Sequence, residues 1–202
     1  MIALRKTRLL LVTSLALAVV MMSGCYFNVF QTARTIGAGN VAISIGSGIV
    51  GVTVGNNSSL VFTPQARLTV GLSDGVDLGL QSGLMVDTSG TPSFLGAMGD
   101  IKLSLLHDPQ LFSLALGVGG GYSSGLLGWG IEGSVYFDSN IVFLPIYAVY
   151  RPILPLSGNN LQLLHQFAGG LHLDLSDSVR ILLELDWWSG VWGVGISLDI
   201  VF

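Results

Sequence analysis

The sequence predicts an all-β protein: an antiparallel up-and-down transmembrane barrel of about ten strands, eight being the other count, preceded by a cleaved signal peptide. Three observations lead there. From Trp192 to Phe202 the chain alternates without a break, Trp192, Val194, Ile196, Leu198, Ile200 and Phe202 against Gly193, Gly195, Ser197, Asp199 and Val201. That is a strand's side-chain period, with one face suited to lipid and the other to a small polar lumen. Glycine supplies 28 of the 202 residues, about twice the usual share, within apolar segments broken by turns. Charged residues, finally, keep to one parity of their segments, and so stay off hydrocarbon, where a basic group at the bilayer centre costs roughly 2–4 kcal/mol.

The N-terminus reads as an export signal over residues 1–24. Arg5, Lys6 and Arg8 precede an apolar run from Leu9 to Met22, too short for a comfortable transmembrane helix. Ser23-Gly24 then leads into Cys25, the chain's single cysteine. This junction resembles a lipobox, with Met22 where leucine is usual, and the resemblance implies acylation of Cys25, palmitate being the diagnostic label. The other reading is an ordinary signal followed by a free thiol, which is unusual in an exported chain. Tyr26, in the place where aspartate commonly retains lipoproteins in the inner membrane, points to the outer membrane. Residues 25–40 are expected to form a lipid-anchored tether, with Tyr26, Phe27 and Phe30 at the membrane interface.

Three of the eight basic residues leave with the signal and none of the twelve acidic ones, so the mature formal charge is −7. A nucleic-acid partner is excluded by that balance. Mean hydropathy is +0.71. Even so, the long uncharged stretches Thr35–Gln65 and Pro109–Ile131 are too interrupted by glycine and polar runs to form membrane helices.

Residues 41–202 are assigned to the barrel, with strands expected at 41–54, 60–72, 76–85, 93–106, 111–121, 127–137, 141–151, 161–174, 179–188 and 191–202. One set of connections is short and polar: Ser73–Gly75, His107–Gln110, Asp138–Asn140 and Ser176–Ser178. The other set, Gly55–Ser59, Val86–Pro92, Tyr122–Leu126 and Pro152–Asn160, is mostly longer. Short periplasmic turns and longer external loops are the pattern of outer-membrane barrels. An even strand count leaves both ends of the barrel on the turn side, where an inner-leaflet anchor would hold the first strand.

A two-residue turn at Ser189-Gly190 sets the last hairpin's register, facing Trp187 with Trp192, Leu185 with Val194 and Arg180 with Asp199. A turn at Ser176–Ser178 also brings Asp174 beside Arg180. Arg180 is thus expected between two carboxylates on the lumen face, an arrangement that stabilises a sheet. Arg67, Asp77, Asp100, Lys102, Glu132, Glu184 and Asp186 share that face. The seventh strand, from Ile141 to Tyr147, is apolar on both faces and has no evident orientation. Trp129, Tyr150, Trp187, Trp188 and Trp192 fall toward the loops, and Phe112, Phe137, Phe143 and Phe202 toward the turns, giving two aromatic girdles.

Chemical motifs are few. Gly128-Trp129-Gly130-Ile131-Glu132-Gly133 matches the dinucleotide fingerprint, but its glycines lie within a strand instead of opening a helix. Barrel hydrolases and acyltransferases need a base beside a nucleophile at the outer rim. His107 falls in a turn, His165 faces lipid, and His172 lies beside Asp174 at the wrong end. Glu184 and Asp186 have the spacing of paired acids, but lumen ion pairing is the simpler account. No spacing suits a metal. No catalytic, cofactor-binding or metal-ligating residue is therefore expected, and no cofactor.

Phe30 to Asn40, Phe-Gln-Thr-Ala-Arg-Thr-Ile-Gly-Ala-Gly-Asn, resembles the start of an uncharacterised group of Gram-negative outer-membrane β-barrel lipoproteins that carry Gln-Thr-Ala-Arg-Thr after the lipid-anchored cysteine. Val70 to Leu80 fits the same group. The final strand resembles the one by which such barrels engage their assembly machinery, which makes Phe202 the assembly signal. The expected partners are outer-membrane lipids and the export and assembly machinery. The resemblance implies no activity. The expected role is structural or surface-interacting, the lumen being plugged by side chains, against a small cation-preferring channel or a membrane-embedded hydrolase or acyltransferase.

Overall fold

A computed structural model describes residues 28–54, 57–86, 88, 90–108, 111–124, 128–139, 141, 145–156, 162–188 and 191–202, with side chains 52–59 left undescribed. Ten antiparallel strands close into a barrel. They are β1 (Val41–Val54), β2 (Asn57–Ser73), β3 (Val76–Val86), β4 (Pro92–His107), β5 (Phe112–Ser123), β6 (Gly128–Ser139), β7 (Ile146–Pro155), β8 (Leu164–Ser176), β9 (Val179–Trp188) and β10 (Val191–Val201). Each strand pairs with its sequence neighbours, and β1 pairs with β10 to close the ring. Closure removes the exposed edges an open sheet would carry. At the seam Val41 N–H donates to Phe202 O at 3.1 Å and Phe202 N–H donates to Val41 O at 2.8 Å.

The expected antiparallel up-and-down barrel is the observed architecture, with ten strands and not eight. The last hairpin takes the register set by its turn: Val191 opposes Trp188, Trp192 opposes Trp187 and Asp199 opposes Arg180. The outer face is apolar. Leu80, Val194 and Ile196 are at least 50% exposed, as lipid-facing positions should be. Among the described strand residues, every Asp, Glu, Lys and Arg is buried or half-buried apart from Asp174, near the turn end of β8.

Nine of the ten strands fall within three residues of their expected bounds, and two differences matter. The first loop shrinks to residues 55–56, because β1 and β2 pair out to Val54 and Asn57. The seventh strand, expected over 141–151, is β7 at Ile146–Pro155; Ile141 and Pro145 are outside it and 142–144 lie outside the described residues. Pro152 lacks an N–H, and the β6–β7 ladder skips from the Glu132–Ile153 pair to the Val135–Tyr150 pair around it. The strand tolerates that gap and runs on.

The loop-side girdle is a chain of ring contacts, Tyr150–Phe167 at 4.9 Å, Phe167–Trp187 at 5.5 Å and Trp187–Trp192 at 6.4 Å, with Tyr122–Trp129 at 5.8 Å further round. Phe112 and Phe137 stack at 5.9 Å on the turn side, and Phe202 is exposed there. Trp188 has the lumen parity of Glu184 and Asp186, and its indole nitrogen is buried, so it is not part of the outer girdle. Phe143 lies outside the described residues.

Candidate functional site

The lumen is the candidate site, and the chain's own N-terminal segment occupies it. Asn28, Val29, Phe30, Gln31, Thr32 and Ala33 are each at most 5% exposed. The segment was expected to be a tether, with Phe30 at the membrane interface. Instead Phe30 lies inside the barrel, in one cluster with Ala115, Tyr136, Tyr147, Val149, Ala168 and Leu182. Tyr26 and Phe27 lie outside the described residues. Tyr147 and Val149 bring the inner face of β7 into this cluster, whereas the stretch without an evident orientation, Ile141–Tyr147, lies mostly outside β7.

Strand alternation sets the wall. Leu182, Glu184 and Asp186 of β9 point inward while Leu183 and Leu185 point out. The Glu184 carboxylate accepts the backbone N–H groups of Val29 and Phe30, each at 2.7 Å, and the Tyr147 hydroxyl at 2.9 Å. Phe30 has φ +40°. This left-handed conformation is a strained one for a bulky residue. It accompanies two consecutive N–H groups converging on one anion, the geometry of a backbone nest. Asn28 Nδ2 donates to Asp186 at 2.6 Å, and Gln81 Nε2 donates to Asn28 O at 3.1 Å.

The adjoining wall is cut away to admit the plug. A Cβ built on Gly46 would stand 2.7 Å from the Phe30 ring, and one on Gly195 or Gly48 would collide with Phe30 or Asn28. These three glycines on β1 and β10 form a seat that any larger residue would fill.

Below Phe30 the segment descends toward the turns. Lys102 Nζ donates to Arg34 O at 2.7 Å and Thr32 O at 3.3 Å while pairing with Asp77 at 3.2 Å. Arg34 bridges Asp138 at 2.8 Å and Asp174 at 3.0 Å. Ile36 N–H donates to Asp77, and Gly39 N–H donates to Gly71 O. Between this part of the plug and the wall of β1, β2, β9 and β10 lies a polar cavity of about 410 Å³.

The charged residues singled out from sequence do not form one cluster. Glu184 and Asp186 hold the top of the plug. Arg67 makes a bidentate pair with Asp100 at 2.6 and 2.7 Å at mid-height. Glu132 pairs with Arg151 at 3.5 Å. Near the turns Arg180 pairs with Asp174 at 2.6 Å, but it does not bridge to Asp199. Its other end donates to Thr32 Oγ1 at 3.1 Å, and Asp199 accepts from Ser197 at 3.1 Å. The plug draws Arg180 away from its cross-strand neighbour.

Arg34, Asp138 and Arg151 escaped the sequence reading. Arg34 carried a signal, being the single charged residue between Tyr26 and Asn40, beside an acidic lumen. Arg151 was hidden by the misplaced boundary of β7; it is 1% exposed.

Among the histidines, His172 Nε2 lies 2.7 Å from Asp138 and 3.0 Å from Ser139 O. His107 Nδ1 contacts Ser113 Oγ at 2.8 Å, but Ser113 is fully buried and closed to any substrate. His165 contacts the Tyr150 hydroxyl at 2.8 Å on the outer face. Among the described residues no His, Cys, Asp and Glu group could hold a metal ion.

No family model matches this chain, and no curated protein does. Solved structures overlap with it loosely. The N-terminal β-barrel domain of Pseudomonas aeruginosa OprF is 12% identical, with TM-score 0.40, over 82% of this chain and 99% of that one. The translocator domain of the autotransporter NalP from Neisseria meningitidis is 11% identical, with TM-score 0.42, over 98% and 97%. The KdgM porin is 10% identical, with TM-score 0.39, over 80% and 99%. These overlaps concern the barrel trace alone.

Proposed function

We propose that this chain is an integral outer-membrane barrel closed by its own N-terminal segment, with a structural or surface-contact role in the envelope. Acylation of Cys25 belongs to the same proposal, as does engagement of the assembly machinery by the strand ending at Phe202. The observation that carries closure is the Glu184 carboxylate accepting two consecutive plug N–H groups at 2.7 Å each. Charge-assisted hydrogen bonds of this kind contribute about 1.5–3 kcal/mol apiece. Side chains were expected to plug the lumen; the N-terminal segment occupies it, held through the Val29 and Phe30 N–H groups and the Asn28, Thr32 and Arg34 carbonyls. The test is conductance in planar bilayers. The intact protein should give no steps, and a chain lacking residues 28–36 should give them. Steps from the intact protein would overturn the reading.

A channel is the second reading, favoured by the wall beneath the plug. Among the described residues, Asp77, Asp100, Glu132, Asp138, Glu184 and Asp186 are buried there against Arg67, Lys102 and Arg151. Such an acid-rich lining selects cations once opened. Cation-over-anion selectivity of the deletion protein checks that lining.

A further inference from the structure

The cavity beside the lower plug has a charge balance of its own. Four Lys and Arg residues line it, and each is already matched: Arg34 by Asp138, Arg67 by Asp100, Lys102 by Asp77 and Arg180 by Asp174. Two lining carboxylates are left over, Asp199 and Asp177. Among the described residues neither has an ion-pair partner. Arg180 stands across the β9–β10 ladder from Asp199 but turns to Asp174 and Thr32, which leaves Asp199 with the Ser197 hydroxyl. A carboxylate withdrawn from bulk water is costly until a cation pairs with it.

A second group is unsatisfied at the same level. The Phe30 ring lies over Gly46, which opposes Ser197, and Thr32 meets Arg180, which opposes Asp199. Gln31, between them, is therefore level with Asp199. It is 5% exposed and lines the cavity, and neither its amide nitrogen nor its amide oxygen has a hydrogen-bond partner. Buried amides are rarely left so. From Asp199 toward the turns the wall continues through Ala42 and Val201, a cross-strand pair with apolar side chains. Val201 N–H donates to Ser178 O at 2.9 Å, and the exposed Asp177 follows at the β8–β9 turn. Two residues from Asp199 to Val201 and one from Ser178 to Asp177 separate the carboxylates by about 10 Å of strand, with an apolar step between.

We infer that this cavity binds a linear aliphatic diamine from the turn side. One ammonium sits between Asp199 and the Gln31 amide oxygen, the alkyl chain lies on Ala42 and Val201, and the other ammonium meets Asp177. An extended four-carbon diamine spans about 12 Å from acceptor to acceptor, counting a charge-assisted hydrogen bond of about 2.8 Å at each end. The cavity, at about 410 Å³, holds such a molecule with water beside it. Because Gln31 and Thr32 of the plug form its inner wall, the inference rests on the plugged-barrel reading above.

The test is calorimetric titration of the folded protein in nonionic detergent with 1,4-diaminobutane, butylamine and 1,4-butanediol at fixed ionic strength. Planar bilayers report a seated plug, and heat-modifiable gel mobility a folded barrel. The diamine should saturate one site per chain, the diol none, and butylamine should bind about tenfold more weakly, the worth of one charge-assisted hydrogen bond. Asp199→Asn and Asp177→Asn should each weaken diamine binding about tenfold, and only the first should also weaken butylamine. A silent, folded protein that takes up no diamine, or binds diamine and butylamine alike, overturns the site and leaves the plug standing. Undiminished diamine affinity in folded Asp177→Asn protein overturns it too, whether or not Asp199→Asn folds. Conductance from the intact protein overturns the plug, and the site with it.

Discussion

Phe30 is bound to Glu184 through its backbone N–H at 2.7 Å, while its ring lies over Gly46 and Gly195 on the neighbouring strands. One residue thus ties the N-terminal segment to β9 by charge and to β1 and β10 by shape. The partners are 154 positions apart in sequence. Strain at the Phe30 φ, on the order of 1–3 kcal/mol, persists because both contacts demand it.

Replacing Glu184 with Gln should loosen the plug without dismantling the barrel. The amide keeps one acceptor but loses the charge that both N–H groups address, a cost of about 1.5–3 kcal/mol. Heat-modifiable mobility should survive, and planar bilayers should show intermittent conductance where the parent is silent. Unbroken silence would count against Glu184 as the principal hold.

Filling the seat should eject the plug by sterics alone. Gly195→Leu places a side chain where the Phe30 ring and the Asn28 amide lie. A folded barrel is expected, with residues 28–36 newly open to protease and a steady conductance. If the segment stays protected, the glycine seat has been misassigned.

Two ion pairs should differ sharply in worth. Arg67 and Asp100 have side chains only 5% and 3% exposed, so Arg67→Ala strands a buried carboxylate at a cost of about 3–5 kcal/mol. Arg180 and Asp174 are 25% and 41% exposed, and solvent screening holds Arg180→Ala to about 1 kcal/mol or less. Urea unfolding of the folded protein in detergent measures both. Equal shifts would contradict the burial of the first pair.

Ile196→Arg probes the outer face. Ile196 is 53% exposed near the middle of β10 and should meet hydrocarbon, where arginine costs roughly 2–4 kcal/mol. Ser197→Arg, one residue on and facing the packed lumen, should fail differently, by displacing the plug. Unfolding midpoints in lipid vesicles separate the two, and an Ile196→Arg barrel as stable as its parent would mean that the face does not contact lipid.

Much of this was legible along the chain. The β9–β10 hairpin could be registered pair by pair because alternation and a two-residue turn leave a single solution. The stretch Ile141–Tyr147 resisted because most of it lies outside β7, whose Tyr147 and Val149 face the plug. Pro152 read as loop because the ladder gap that admits it is invisible before the partner strand is known. Arg180 was paired correctly with Asp174, but its other end went to Thr32, a residue that looked like part of a tether.

Strand facing outside β7 and the register of the last hairpins are local properties, written at a period of two and set by turns, so the sequence by itself determined them. What fills the lumen was decided only by tertiary structure. Closure alone brings Gly46, Gly48 and Gly195 together as a seat and aims Glu184, Asp186 and Lys102 at one axis. A short segment with no period of its own finds there the partners its exposed N–H and C=O groups require. That match joins residues up to 158 positions apart, and no repeat in the chain announces it.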